Sequence, residues 1–224
     1  MASTMKLVDT PDEQDILERL IEETKPAVPP ECRHLSYLLF TPFRYQPYPH
    51  GSRFRRAGWT PGVYYASAAE GTAVAEMAFY RLLFFLESPA TPWPVDPPHF
   101  HAFEARYAVE RMLDLTQPPL SRDGQSWEDP IGYDACQALA EAARSAGITA
   151  IAYRSVRDPG GGRNIALLTC QAFSEAGPTA MRSWRLRFGP AGVQAVRESP
   201  RDVLYFDTSA FAADPRIAAL RWVR

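Results

Sequence analysis

One stretch constrains this chain more than any other, residues 51–87, GSRFRRAGWTPGVYYASAAEGTAVAEMAFYRLLFFLE. Three arginines, Arg53, Arg55 and Arg56, precede a turn over residues 58–62 punctuated by Pro61 and Gly62. Residues 63–67 are β-branched and aromatic and bounded by turn residues, which predicts a short strand. A long apolar helix follows, with Thr72 as the expected cap. Within it Glu76 stands among Ala73, Val74, Ala75, Met77, Ala78 and Phe79, and Tyr80 lies one turn on along the same face. Burying a carboxylate in such surroundings costs several kcal/mol, about 3–5, unless a partner holds it. The three arginines are the candidate partners. Arginine, glutamate and two tyrosines together suit a pocket for an anionic, ribose-bearing ligand. The alternative is a glutamate that faces water at a helix end.

The remainder of the composition narrows the setting. Residues number 224, enough for one domain or one domain with appendages, and 46% are apolar, enough for a core. The net charge is -2, which gives no general reason to expect nucleic-acid binding, although arginines cluster locally. Twenty-one prolines concentrate in residues 26–49 and 89–98, where irregular backbone is expected. Cys32, Cys136 and Cys170 have no metal-like spacing, and an odd, sparse set suggests ordinary buried thiols in a reducing compartment. The first residues carry no apolar signal core, and the longest greasy run, residues 82–86, is too short to span a bilayer. The expectation is a soluble cytoplasmic protein with no membrane contact.

Thr10, Pro11 and Glu13 predict a capped helix start, and Ile16, Leu17, Leu20 and Ile21 give that helix one apolar stripe in need of a surface. It must end before Lys25-Pro26. Residues 35–40 suit either a strand or a helical turn. Arg44 follows, hemmed in by prolines at 42, 47 and 49, so a stiff loop carrying a phosphate-clamping guanidinium is one reading, and a solvated arginine between packed aromatics the other. Residues 100–109 read as a strand, 111–115 as its extension or restart, and 117–131 as a loop in which Trp127 is a pocket wall or a core plug. A helix over 133–146, stopped by Gly147, is followed by strands over 148–153 and 165–170. Three more strands are expected at 183–188, 192–197 and 203–206, then a short amphipathic helix. Many strands and few helices without regular βαβ alternation favour α+β architecture.

The connection RSVRDPGGGRN (154–164) is the second polar cluster. Three successive glycines bury nothing and lose conformational entropy, so they suit a hairpin tip or a close approach to a ligand. Neither a P-loop nor a dinucleotide fingerprint is present. Ser155, at the strand's end, can point into a cleft beside Arg154 or Arg157, or the whole segment can be a plain polar turn. His99-x-His101 lacks a third ligand nearby, which argues against a metal, and a serine triad lacks its GxSxG elbow.

Three pieces, PFRYQPYPHGSRF (42–54), GVYYASAAEGTAVAEMAFY (62–80) and ITAIAYRSVRDPGGGRNIALL (148–168), in this order resemble the RES family. The resemblance is clearest over residues 35–170. It implies an ADP-ribosyltransferase-like α+β fold of mixed sheets with flanking helices, placed over 31–224 behind an N-terminal helical extension (1–30). It also implies a toxin that consumes NAD⁺ and is paired with an Xre-like antitoxin. Carried over residue by residue, the family's arginine, glutamate and serine fall on Arg53, Glu76 and Ser155. Tyr65 takes the position of the tyrosine before the helix, and Arg44-Tyr45 that of an additional pocket pair, with Arg33 as the competitor. Tyr80 and Asn164 complete the NAD⁺-binding set. Arginines would hold the diphosphate, tyrosines would stack on the nicotinamide or its ribose, and Ser155 would bond the ribose or the acceptor. The acceptor of ADP-ribose would be a cellular protein, with inorganic phosphate or water as alternatives. A non-catalytic nucleotide-binding module is the reading from another class.

Overall fold

Thr10, Pro11 and Glu13 start the first helix as their order predicts. In the computed structural model, which describes residues 3–45 and 48–223, α1 (Pro11–Thr24) carries a complete capping box, Thr10 accepting from the Glu13 N–H and Glu13 accepting from the Thr10 N–H. Its apolar stripe stays uncovered: Ile16, Leu20 and Ile21 are exposed, and α1 buries no residue. The proline-rich segment is less irregular than expected. Residues Tyr37–Arg44 form α2, with Pro42 inside it, so Arg44 ends a helix instead of sitting on a stiff loop. At its start Ser36 O accepts from both Leu39 and Phe40 N–H, and Pro42 supplies no N–H to its last turn.

The chain then builds two four-stranded sheets. The first, in the order β1-β5-β4-β3, contains β1 (Tyr64–Ser67), β3 (Met112–Asp114), β4 (Ala150–Arg154) and β5 (Arg163–Leu167). Only β3 and β4 run parallel. The second, in the order β2-β6-β7-β8, is antiparallel throughout and contains β2 (His99–Glu104), β6 (Ala180–Gly189), β7 (Gly192–Arg197) and β8 (Asp202–Asp207). Helix α3 (Glu70–Glu87) links β1 to β2 and hence the two sheets. A four-residue turn of helix, α4 (Gly124–Trp127), and then α5 (Asp134–Ser145) precede β4. The architecture is α+β, consistent with an ADP-ribosyltransferase-like fold.

Period-two alternation assigns the faces of the first sheet. Tyr64, Ala150, Ala152, Ile165 and Leu167 join a core under α2, which includes Leu35, Leu39 and Phe173. Ile151, Tyr153, Ala166 and Leu168 face the opposite way, toward Phe54 and the small residues Cys136, Ala140 and Ala143 of α5. The apolar side of α3, with Val74, Ala78, Phe79, Leu82 and Phe85, packs on Trp184, Leu186, Phe188 and Val193 of the second sheet.

Four further expectations are corrected. Helix α3 begins two residues before Thr72, with Ala69 at its cap, and the Thr72 hydroxyl instead donates to Asp158 Oδ2 at 2.8 Å. The strand expected over 100–109 stops at Glu104, after which Tyr107 makes only an isolated bridge to Phe173. The C-terminal helix reduces to one 3-10 turn, Ile217–Ala219. Cys32 and Cys170 are not separate thiols but a disulfide with Cα atoms 5.7 Å apart, leaving Cys136 free and buried. The cysteines therefore give no argument for a reducing compartment. No described helix is long and apolar enough to cross a membrane.

Candidate active site

The alternation that fills the core also delivers the polar residues. Tyr65 and Ser67 on β1, Asn164 on β5 and Tyr153 on β4 share the face of the first sheet that looks toward α5, and Ser155 continues the Ile151–Tyr153 parity one step past β4. Ser67 and Asn164 are direct cross-strand partners, and Ser67 Oγ donates to Asn164 Oδ1 at 2.7 Å. Asn164 is thereby oriented with its amide nitrogen forward.

Glu76 on α3 meets this face. Its Oε1 accepts from Ser155 Oγ at 2.5 Å and from Asn164 Nδ2 at 2.8 Å. Ser155 and Asn164 are buried and Glu76 is half-buried. The serine oxygen in turn accepts from the backbone N–H of Arg157 (3.3 Å) and Asp158 (3.0 Å). Serine and asparagine thus spend their bonding capacity on holding one carboxylate oxygen. Among the described residues Oε2 accepts no hydrogen bond.

The glycine loop makes this possible. Ser155 N–H donates to Gly162 O at 2.7 Å, closing the loop, while Asp158 accepts from the N–H of Gly160 and Gly162 and from Thr72. A Cβ on Gly162 would fall 2.0 Å from Thr72 Oγ1 and 2.6 Å from Asp158 Oδ2, so only glycine lets the loop lie against the start of α3. Gly161 adds a positive φ of 65°. The close approach serves α3 itself.

Aromatic and basic groups surround the carboxylate. Tyr80, one turn along α3, is half exposed, and burial of its hydroxyl region raises its pKa, with Arg157 acting the other way. Arg157 is buried, lies 4.9 Å from the Phe79 ring centre and 5.4 Å from that of Tyr80, and donates to Tyr133 Oη at 2.7 Å. Burial disfavours its charged form, but Tyr80, Tyr133 and Glu76 outweigh that and raise its pKa. Arg216 also packs on Phe79, shares the Pro130 carbonyl with Arg157, and is neutralised by buried Asp214 at 2.6 Å. Tyr153, buried beneath, has its pKa pushed well up by burial, so it remains neutral.

The other expected site residues divide. The Tyr65 hydroxyl accepts from Phe54 N–H at 3.0 Å and shares a hydrogen bond with Ser52 Oγ, anchoring the arginine segment to β1. Arg53 is buried, but its guanidinium bonds to the backbone oxygens of Trp127 and Asp129 and rests 5.0 Å from the Tyr133 ring centre, and it makes no hydrogen bond to Glu76, Ser155 or Asn164. Arg44 bonds to Pro26 O at 2.6 Å and is ion-paired with Glu22 of α1 at 2.6 Å. Neither Arg44 nor Tyr45, whose ring lies 6.4 Å from that of Tyr48, touches Glu76, Ser155 or Asn164, and Arg33 is exposed. Sequence reasoning named Arg157 only as a neighbour of Ser155 and missed Tyr133 and Arg216. The sequence offered only the spacing of Arg157, two residues past the serine, and nothing local that marks it as buried.

A separate cleft of about 660 Å³ opens between the edge strands β1 and β2, lined by Tyr64, Val74, Phe103, Phe173 and Trp184 among others, and Glu76, Ser155 and Asn164 do not line it. Among the described residues no group of three His, Cys, Asp or Glu side chains is placed to hold a metal.

A family model described as the RES domain matches residues 28–189. The chain belongs to the RES family. The matched span contains α2, the whole first sheet, α3, α5 and the Glu76–Ser155–Asn164 group, and it ends with β6. At the coarse level this membership brings NAD-related toxin chemistry and pairing with an antitoxin. No curated protein matches the chain.

Proposed function

We propose that this RES protein cleaves the nicotinamide–ribose bond of NAD⁺ and passes the ADP-ribose to a cellular protein, acting in the cytoplasm as a toxin restrained by an Xre-like antitoxin. The observation that carries the reading is the asymmetric hold on Glu76: two donors fix Oε1, and among the described residues none bonds Oε2. Nicotinamide is a cationic leaving group and departs with the bonding electron pair without needing a proton. The ribose carbon it leaves becomes electron-poor, and a preorganised carboxylate stabilises that charge as it develops. Oε2 would accept a ribose hydroxyl proton in a hydrogen bond, fixing the sugar while the glycosidic bond lengthens. The acceptor's nucleophilic atom then bonds to the same carbon and gives up its proton to bulk water. Ser155 and Asn164 act by holding Glu76 and not by attacking. Tyr80, one turn along α3 from the carboxylate, offers a flat face for the nicotinamide, and Tyr133 holds Arg157 beside it.

A second acceptor, inorganic phosphate, is favoured by one observation, the buried cation of Arg157 beside the carboxylate. Purified protein incubated with NAD⁺, with or without phosphate and with cell lysate, separates the readings by mass spectrometry. Free nicotinamide together with a lysate protein heavier by one ADP-ribose is the expected result. ADP-ribose-1″-phosphate formed only with phosphate identifies the phosphorolytic enzyme instead. Absence of nicotinamide under every condition sinks the catalytic reading and leaves a nucleotide-binding module. Glu76→Ala, expected to lower turnover by at least about 100-fold as a lost electrostatic stabiliser does, is the control.

A further inference from the structure

We infer that Arg157, oriented by Tyr133, is the residue that binds the phosphate-class anion of the substrate at the Glu76 site. The identity of that anion rests on the NAD⁺ reading above, while the presence of an anion subsite rests on the arginine alone.

Arg157 is only 6% exposed and has no carboxylate within ion-pair distance among the described residues. Its Nη2 donates to Pro130 O at 3.1 Å and to Tyr133 Oη at 2.7 Å, and its buried Nε donates to none of the described residues. Two neutral oxygens, the faces of Phe79 and Tyr80, and the carboxylates of Glu76 and Asp214 beyond ion-pair distance are a partial replacement for water around a full charge. An anion supplied from outside would complete it, through donors in the planar arrangement that suits phosphate oxygens.

Other arginines show why this one is singled out. Arg44 is matched by Glu22, Arg56 by Glu141, Arg197 by Glu70 and Arg216 by Asp214. Arg53 is equally buried but has both terminal nitrogens committed to backbone carbonyls. An unpartnered Nε also occurs at Arg55, Arg81 and Arg144, yet none of these is buried to the same degree, and Arg144 spends both terminal nitrogens on carbonyls. Among the described arginines Arg157 alone combines burial, an unpartnered donor and proximity to the carboxylate. Its own N–H bonds to the Ser155 hydroxyl that holds Glu76, so anion site and carboxylate are fixed on either side of one serine. A ligand with phosphate at one end and an electron-poor ribose at the other fits that polarity.

Calorimetric titration of ADP-ribose, nicotinamide riboside and inorganic phosphate into wild type, Arg157→Gln, Arg157→Lys and Tyr133→Phe tests the assignment, with circular dichroism and Tm reporting the fold. If Arg157 holds the substrate's diphosphate, Arg157→Gln weakens ADP-ribose by about 10-fold or more, as loss of charge-assisted hydrogen bonds does, and leaves nicotinamide riboside unchanged. Weakened binding of inorganic phosphate alone, with ADP-ribose unaffected, supports the same anion site with free phosphate as its occupant. Arg157→Lys, which keeps the charge and loses the fork, falls between wild type and Arg157→Gln. Should Arg157→Gln fail to fold, the lysine and Tyr133→Phe variants carry the same comparison. Folded variants that bind ADP-ribose and phosphate as wild type does, or that lose nicotinamide riboside equally, overturn the inference, as does a wild type that binds neither anion. A protein that binds ADP-ribose through Arg157 but never releases nicotinamide refutes the proposed reaction and leaves the anion site standing.

Discussion

At the scale of single residues the site turns on one oxygen, Glu76 Oε1, and on the two donors that reach it. Asn164 is the more informative to change, because its own orientation is fixed by Ser67. Asn164→Asp sets a second carboxylate where an amide donated, and two carboxylates sharing a site cannot both ionise readily, so one pKa rises. NAD⁺ cleavage by this variant is expected to fall by about 10–100-fold at neutral pH, the loss typical of a hydrogen bond to a charged group. It should recover as the pH falls, since a protonated Asp side chain donates again. A pH–rate profile without an acid limb of recovery would dissociate Asn164 from the carboxylate's positioning. Tyr64 supplies a residue-scale prediction about stability. Burial in the core under α2 pushes its pKa up from 10 to about 12. The unfolded chain therefore loses this proton near pH 10 while the folded protein keeps it, so the tyrosine's contribution is complete below pH 10 and is lost as the pH rises toward 12. Over that window the loss amounts to about 2 kcal/mol. Urea unfolding of Tyr64→Phe should show a shallower alkaline decline than wild type, and equal slopes would count against the assignment.

At the scale of elements, what could be read in advance followed from periodicity and punctuation. The apolar runs over residues 148–153 and 165–170, set off by Gly147 and the glycine-rich connection, located β4 and β5, and the Thr-Pro-x-Glu start located α1, because both signals are local. Two elements were misread for the same physical reason, that tertiary partners outweighed local preference. Pro42 is accommodated in α2, whose residue Leu39 is wholly buried against the first sheet, and Thr72 gives its hydroxyl to Asp158 instead of capping α3. The glycine loop was legible as special but not as to purpose. Its closeness to Thr72 makes a definite prediction. Gly162→Ala forces the loop away from α3, and because Gly162 O anchors Ser155 N–H, the serine moves with it. Turnover should drop at least about 10-fold, as lost preorganisation of a positioned group does, with a smaller change in Tm. Thr72→Ser/Gly162→Ala should stay impaired, since the hydroxyl is the nearest atom, whereas Thr72→Gly/Gly162→Ala should regain part of the loss. A Gly162→Ala enzyme as fast as wild type would remove the loop from the account.

Across the whole molecule, the Glu76–Ser155 pairing was legible only through resemblance, since 79 residues separate the partners and no local pattern predicts their contact. Arg157's burial was illegible for a related reason: a charge in a Gly-rich loop reads as solvated until the rings of Phe79 and Tyr80 are placed beneath it. The disulfide is the largest such omission. Cys32 precedes α2, Cys170 follows β5, and 138 residues of sequence separate them, yet both lie in the core under α2. Joining them restricts the unfolded chain across most of the RES match, and loop-closure entropy puts the stabilisation at about 5 kcal/mol as an upper figure. That is a large share of the roughly 5–15 kcal/mol that holds a domain folded. Cys32→Ser should therefore lower the urea midpoint and Tm markedly. Turnover of the variant while folded should stay near wild type, because the bond sits under α2 on the face of the first sheet turned away from Tyr153 and Asn164. Thiol titration of unreduced, denatured protein should find one reactive thiol, Cys136, rising to three after reduction. Three thiols before reduction would mean that α2 is held to the sheet by packing alone, and the large stability loss in Cys32→Ser should then vanish with the bond.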